Sequence, residues 1–166
     1  MNNQQERLEI DNWIVGFTDG EGCFSVSLFR NNTTTLGWQV FPEFVITQGK
    51  KSLPVLLQIQ SRFGCGKIYE NKRHDNHNEH LYKYCVRSLG DLNHVIIPFF
   101  KEHPLRSAKW NDFLLFSEIV SMMNNGLHRS PDGLRLIASI IEKMNRKKAS
   151  RFLESSETTR RAPTSQ

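Results

Sequence analysis

The chain has 166 residues, of which 38% are hydrophobic and 23% charged, with eleven Phe and a formal charge of +5. That length suits one domain whose core needs no external staple. No run of 18 or more apolar residues is present, which argues against a membrane span, and Met1 to Glu6 lack the basic-then-apolar order of a secretory signal.

The charge is unevenly placed. Residues 1–22 carry one basic residue, Arg7, against five acidic ones, whereas residues 50–109 carry eleven Lys or Arg against five Asp or Glu. A small negative spot inside a basic chain suits a protein that meets phosphates broadly and holds a cation beside one of them. Cys23, Cys65 and Cys85 are isolated and odd in number, so neither a disulfide framework nor a CxxC zinc site is expected. A reducing compartment is the expectation.

In chain order, the first element is a helix over residues 7–18, with Ile10, Trp13, Ile14 and Phe17 as an apolar stripe at spacings of three and four. Gly16 and Gly20 weaken that helix but allow another backbone to come close, as at a helix–helix seam. From Cys23 to Phe29 the period becomes two, with Phe24, Val26 and Leu28 on one face. After the polar loop Asn31–Thr35, a second strand runs from Trp38 to Gln48, with Pro42 restricted to an edge or bulge. Ser52 then caps a helix that ends before Gly64.

Strands over 66–72 and 81–86 flank a polar loop, residues 73–80, and a helix over 89–100 follows. Two more helices are expected, from Ser107 to about Met123 and from Ser130-Pro131 to about Met144. Residues 146–166 read as a basic, flexible tail, in which Arg146, Lys147, Lys148 and Arg151 would add backbone contacts to nucleic acid. The order is α-β-β-α-β-β-α plus C-terminal helices, an α+β domain over 7–145 with a four-stranded antiparallel sheet covered on one face. The open face would carry Ser25, Ser27, Phe29, Gln39, Val45, Lys67, Tyr69, Asn71 and Lys83. No internal repeat is present. His74, His77 and His80 are spaced by three, but a polar loop without a fixed fourth ligand is a poor zinc site. The loop reads better as an arm toward DNA, with Lys72 and Arg73 near phosphates and Asn31 playing a similar part in the first hairpin.

Asp19 and Glu21, one glycine apart, stand at the junction of the first helix and first strand. A carboxylate at a helix C-terminus opposes the dipole, and a nearby cation would relieve it. Residues 14–22, Ile-Val-Gly-Phe-Thr-Asp-Gly-Glu-Gly, resemble the signature of the LAGLIDADG homing endonucleases. They match at Gly16, Asp19 and Gly22, and Glu21 occupies the place of the last acidic residue. The resemblance extends over the αββαββα order. It implies a Mg2+-dependent, site-specific endonuclease for double-stranded DNA, with Mn2+ or Ca2+ able to occupy the same sites.

By that resemblance, Glu21 and the carbonyl of Gly20 would hold the metal, and Asp19 would fix the helix end. Gln48 would order nearby water. A basic residue in Pro104–Trp110 would approach the scissile phosphate: the Pro-Leu pattern favours Lys109, and alignment of nearby helix positions favours Arg106. Glu in place of Asp adds one methylene. A single motif implies a homodimer in which Trp13, Gly16, Phe17, Asp19 and Gly20 line the contact between paired motif helices. Both strands would be cut across the minor groove of a long pseudo-palindromic site, leaving short 3′ overhangs. The open sheet face would read base edges in the major groove. The gene would lie in an intron, and the protein in a mitochondrion or chloroplast if eukaryotic or the cytoplasm if bacterial. The competing reading is a maturase, an intron RNA-binding splicing factor on the same scaffold without cleavage.

Overall fold

The computed structural model describes residues 3–71 and 80–144. Helix α1 (Asn3–Glu21) leads into strands β1 (Gly22–Arg30) and β2 (Trp38–Gly49). After a 3-10 turn, Lys50–Ser52, come α2 (Leu53–Phe63), β3 (Lys67–Asn71) and β4 (Leu81–Val86). The helices α3 (Leu89–Asp91), α4 (Ile97–Glu102), α5 (Lys109–Asn124) and α6 (Pro131–Met144) follow among the described residues. The tail expected over 146–166 lies outside the described residues, as do Lys72 and Arg73.

The sheet order is β1-β2-β4-β3, and every neighbouring pair is antiparallel. Register Gly22↔Ile46 begins the first hairpin and Arg30↔Trp38 ends it. Pro42 pairs with Val26 on one side, but β4 pairing stops at Phe44↔Val86, so the missing proline N–H costs no ladder bond there. That agrees with the edge character expected of Pro42. Gly64 closes α2 at φ 66°, donating its N–H to the Gln60 carbonyl. Ser130 caps α6 by accepting the Gly133 N–H at 3.1 Å. Ser52, by contrast, makes no side-chain cap to α2, because a 3-10 turn leads into that helix.

The alternation in β1 and β2 sends Phe24, Val26, Val40, Phe44 and Ile46 into the core beneath the helices. Phe24 is the aromatic hub, with ring centroids 4.9 Å from Phe44, 5.2 Å from Phe100 and Phe113, and 5.4 Å from Phe116. Such pairs add to plain burial and tie the sheet to α4 and α5. Between α3 and α4 the backbone widens into a π turn, Leu92–Ile96, just before Pro98. Proline lacks an N–H and crowds the carbonyl four residues back, which disfavours a regular helix there.

Helix α1 departs from its expected stripe. Ile14 is fully buried, but its companions inside are Asp11 and Thr18, while Trp13 is 40% exposed. Asp11 can be buried because Arg62 from α2 grips both of its oxygens, at 2.6 and 2.7 Å. Apolar spacing alone could not show that a carboxylate holds the inner face. Trp13 stacks on Phe17, at 5.2 Å between centroids, on the outer side. The helix also reaches Glu21 rather than stopping near Thr18, so both acids fall within its last turn.

Candidate functional site

The end of α1 is built by the loop before α5. The Asp19 carboxylate accepts hydrogen bonds from the Arg106 amide at 2.8 Å, the Ser107 amide at 3.2 Å and the Ser107 hydroxyl at 2.7 Å. Burial works against its charge, but the Ser107 hydroxyl, the two amides and the nearby Lys109 charge together hold Asp19 below the usual carboxylate range. Lys109, on the first turn of α5, places Nζ 2.8 Å from the Thr18 carbonyl and 2.9 Å from that of Asp19. It therefore satisfies two of the four carbonyls that a helix C-terminus leaves open and supplies the cation that the dipole favours. The Gly20 carbonyl is the next along.

Glu21 is solvent-exposed and has no hydrogen-bond or ion-pair partner among the described residues. The two carboxylates of the motif thus differ completely: Asp19 belongs to the fold, and Glu21 stands open. Of the two basic candidates, Lys109 brings its ammonium to the helix end. Arg106 contributes its backbone there, and its side chain is exposed. Gln48 is half-buried at the end of β2, paired with Tyr82 of β4 and two residues past the Gly22↔Ile46 pair at which α1 gives way to β1.

Three glycines in this region have unequal surroundings. A Cβ on Gly22 would lie 2.5 Å from Thr18 Cγ2 and 2.9 Å from the Thr18 carbonyl oxygen, so only glycine fits the turn into β1. A Cβ on Gly16 or Gly20 would meet nothing within 4 Å among the described residues. Both lie on the exposed side of α1 with Trp13, beside the half-buried Phe17 that packs against the core, and among the described residues nothing covers the two glycines.

The open face of the sheet carries the expected residues. Ser27, Phe29, Lys67, Tyr69 and Asn71 are exposed, and Ser25, Gln39 and Lys83 are half-buried. Val45 lies on this face, between Cys23 and Cys85 in register, but is only 8% exposed and offers little surface. Asn31 Nδ2 donates to Gln39 Oε1 at 2.6 Å, which joins the first loop to the face. Lys83 is 3.3 Å from Glu43 rather than free. Phe41, Glu43 and Arg87 also belong to this surface, and the period-two phase of their strands would have shown it. Of the histidine loop only His80 is described, and among the described residues no group of three or more His, Cys, Asp or Glu could hold a metal.

Residues 14–120 match the family described as LAGLIDADG endonuclease. The crystal structure of the homing endonuclease I-TnaI superimposes with a TM-score of 0.76 at 38% identity, covering 89% of this chain and 96% of that one. I-SmaMI bound to uncleaved DNA target in the presence of calcium ions superimposes with a TM-score of 0.79 at 30% identity, over 89% of this chain and 48% of its own. A probable intron-encoded DNA endonuclease of Mycosarcoma maydis is 35% identical over 119 residues, 72% of this chain and 41% of that protein. The chain spans from a quarter to about two-fifths of the length of this and similar curated relatives. With its motif helix, its αββαββα order and its open antiparallel sheet all in place, the chain belongs to the LAGLIDADG endonuclease family.

Proposed function

We propose that the chain is a divalent-metal-dependent, site-specific DNA endonuclease that works as a homodimer and is encoded within an intron. The observation that carries this reading is Glu21, exposed and without a partner among the described residues at the tip of α1, next to the exposed Trp13, Gly16 and Gly20 and the half-buried Phe17. Two copies meeting along that strip would bring two Glu21 carboxylates together.

The oxygen donors present fit Mg2+. That ion prefers hard ligands, is held by one or two carboxylates and keeps several waters, so one carboxylate and one carbonyl per subunit form a sufficient protein share. Glu21 and the Gly20 carbonyl would hold it, and no group of three acids is needed. When bound, Mg2+ supplies positive charge to the phosphate oxygens and eases deprotonation of a water. Lys109, fixed against the carbonyls of Thr18 and Asp19, adds a positive charge at the same helix end and favours the approach of a phosphate. Gln48 would orient water beside it. The open sheet face would lie in the major groove and place the α1 tips over the minor groove between half-sites.

The test is Glu21→Gln on a duplex selected from a random library. Cleavage in MgCl2 should fall further than the roughly 10–100-fold lost when a group that only orients a metal ligand is removed. Binding in CaCl2 should change little. Undiminished cleavage by the variant would remove Glu21 from the site. Binding of intron RNA by the wild-type chain, with no cleavage of any duplex, would favour the splicing-factor reading.

A further inference from the structure

On the open sheet face, Arg87 and Glu43 form a cluster with Lys83, Cys85, Phe41 and Tyr69. Arg87, the residue after β4, points to the same side as Lys83 and Cys85. Its Nε donates to Glu43 Oε2 at 3.0 Å. Its guanidinium carbon lies 5.3 Å from the centroid of Phe41 and 5.4 Å from that of Tyr69. The other Glu43 oxygen faces Lys83 Nζ at 3.3 Å, and Cys85 Sγ lies 3.5 Å from Oε2. Although burial opposes its charge, Arg87 and Lys83 keep the Glu43 carboxyl below its ordinary range, so the hub stays ionised near neutral pH. The Arg87 side chain remains 39% exposed.

We infer that Arg87 is a specificity-determining residue that reads one guanine per half-site in the major groove, and that Glu43 is its positioning residue. This rests on the duplex-binding reading of the sheet face given above. With Nε committed to Glu43, the two terminal nitrogens and their four N–H groups are left for a partner. A planar fork held from behind matches the O6 and N7 acceptors of guanine, the commonest specific arginine contact. Two aromatic rings and a carboxylate restrict the side chain before any DNA arrives, which lowers the ordering cost of a base contact. A phosphate is the poorer partner. It would have to settle beside the Glu43 carboxylate, and β4 lies inside the sheet, between β2 and β3, rather than at an edge.

The full-length chain, R87K, R87A and E43Q would be compared on a duplex enriched by wild-type binding in CaCl2, with every position changed in turn to the other three bases. Thermal melting would confirm that each variant is folded. The wild type should prefer guanine at one position per half-site by roughly ten- to a hundredfold. R87K should bind within a few fold of wild type but lose that preference, because it keeps the charge and loses the fork. E43Q should lose part of the preference at the same position alone, and combining it with R87A should do no more than R87A. A uniform loss of affinity in R87A, with the salt dependence falling by about one ion, would make Arg87 a phosphate contact and overturn the inference. So would an unchanged base preference in R87A. A wild-type chain that selects no duplex at all would instead remove the endonuclease reading, and this inference with it.

Discussion

Asp19 and Glu21 are two residues apart in one helical turn, yet their surroundings are opposite. Asp19 faces the loop before α5 and accepts three hydrogen bonds from it, whereas Glu21 projects into solvent with no partner among the described residues. The glycines show the same division. Gly22, on the inner side, is pressed against Thr18, while Gly16 and Gly20, on the outer side, face open space. One side of the motif therefore maintains the fold of a single chain. The other stands open, and in the proposed function a second copy, a metal and DNA would meet it there.

Substitutions on the two sides should therefore fail in different ways. The largest effect is expected on the outer side. Gly16→Leu fills space that a partner helix would need, and should weaken self-association by about 2 kcal/mol or more, as at an interface hot spot. Sedimentation should then show monomer, and the melting temperature measured at high dilution should not fall but rise slightly, because leucine favours the helix more than glycine does. On the inner side, Gly22→Ala should cost about 1–3 kcal/mol through overpacking against Thr18, seen as a lower melting temperature at every concentration.

Asp19→Asn should cost about 1–2 kcal/mol, since it weakens charge-assisted bonds at a partly exposed site. Folding lowers the Asp19 pKa from its ordinary value of 3.8, so the wild-type advantage should be complete above that value and fade as pH falls through the lower folded one. Denaturant titrations of both proteins between pH 7 and pH 2 would check this. An advantage that grew on acidification would contradict it. The smallest expected effect is a change of sign. Gly16→Ala should stabilise the isolated chain by about 0.5–1 kcal/mol through helix propensity while weakening the dimer.

Much of this is legible in the sequence. Period-two alternation put Phe24, Val26 and Leu28 on one face, which the fold turns to the core, and Ser27, Phe29 and Tyr69 on the open face, because a strand allows only two directions. The turn glycines and the Ser130-Pro131 start of α6 were readable for similar local reasons. What stayed hidden depends on long-range pairing. Asp11 lies inside because Arg62, 51 residues later, reaches it, and no local pattern announces that partner. Asp19 could be assigned to the helix end from the motif, but its bonds to Arg106 and Ser107 come from a loop nearly 90 residues away. The same distance left Arg106 and Lys109 unresolved in sequence. The fold separates them by giving the Arg106 backbone to Asp19 and the Lys109 ammonium to the carbonyls of α1.

The claim that the outer side of α1 becomes complete only in a pair is tested most directly with mixed dimers. Wild-type and Glu21→Gln subunits carrying different affinity tags would be co-expressed, and the heterodimer isolated and incubated with a selected duplex in MgCl2. With one Glu21 missing from a shared site, the heterodimer should bind like wild type but yield no double-strand breaks, leaving nicked or intact duplex. Double-strand cleavage by the heterodimer at the wild-type rate would show that one chain carries a complete site by itself, and would contradict the account.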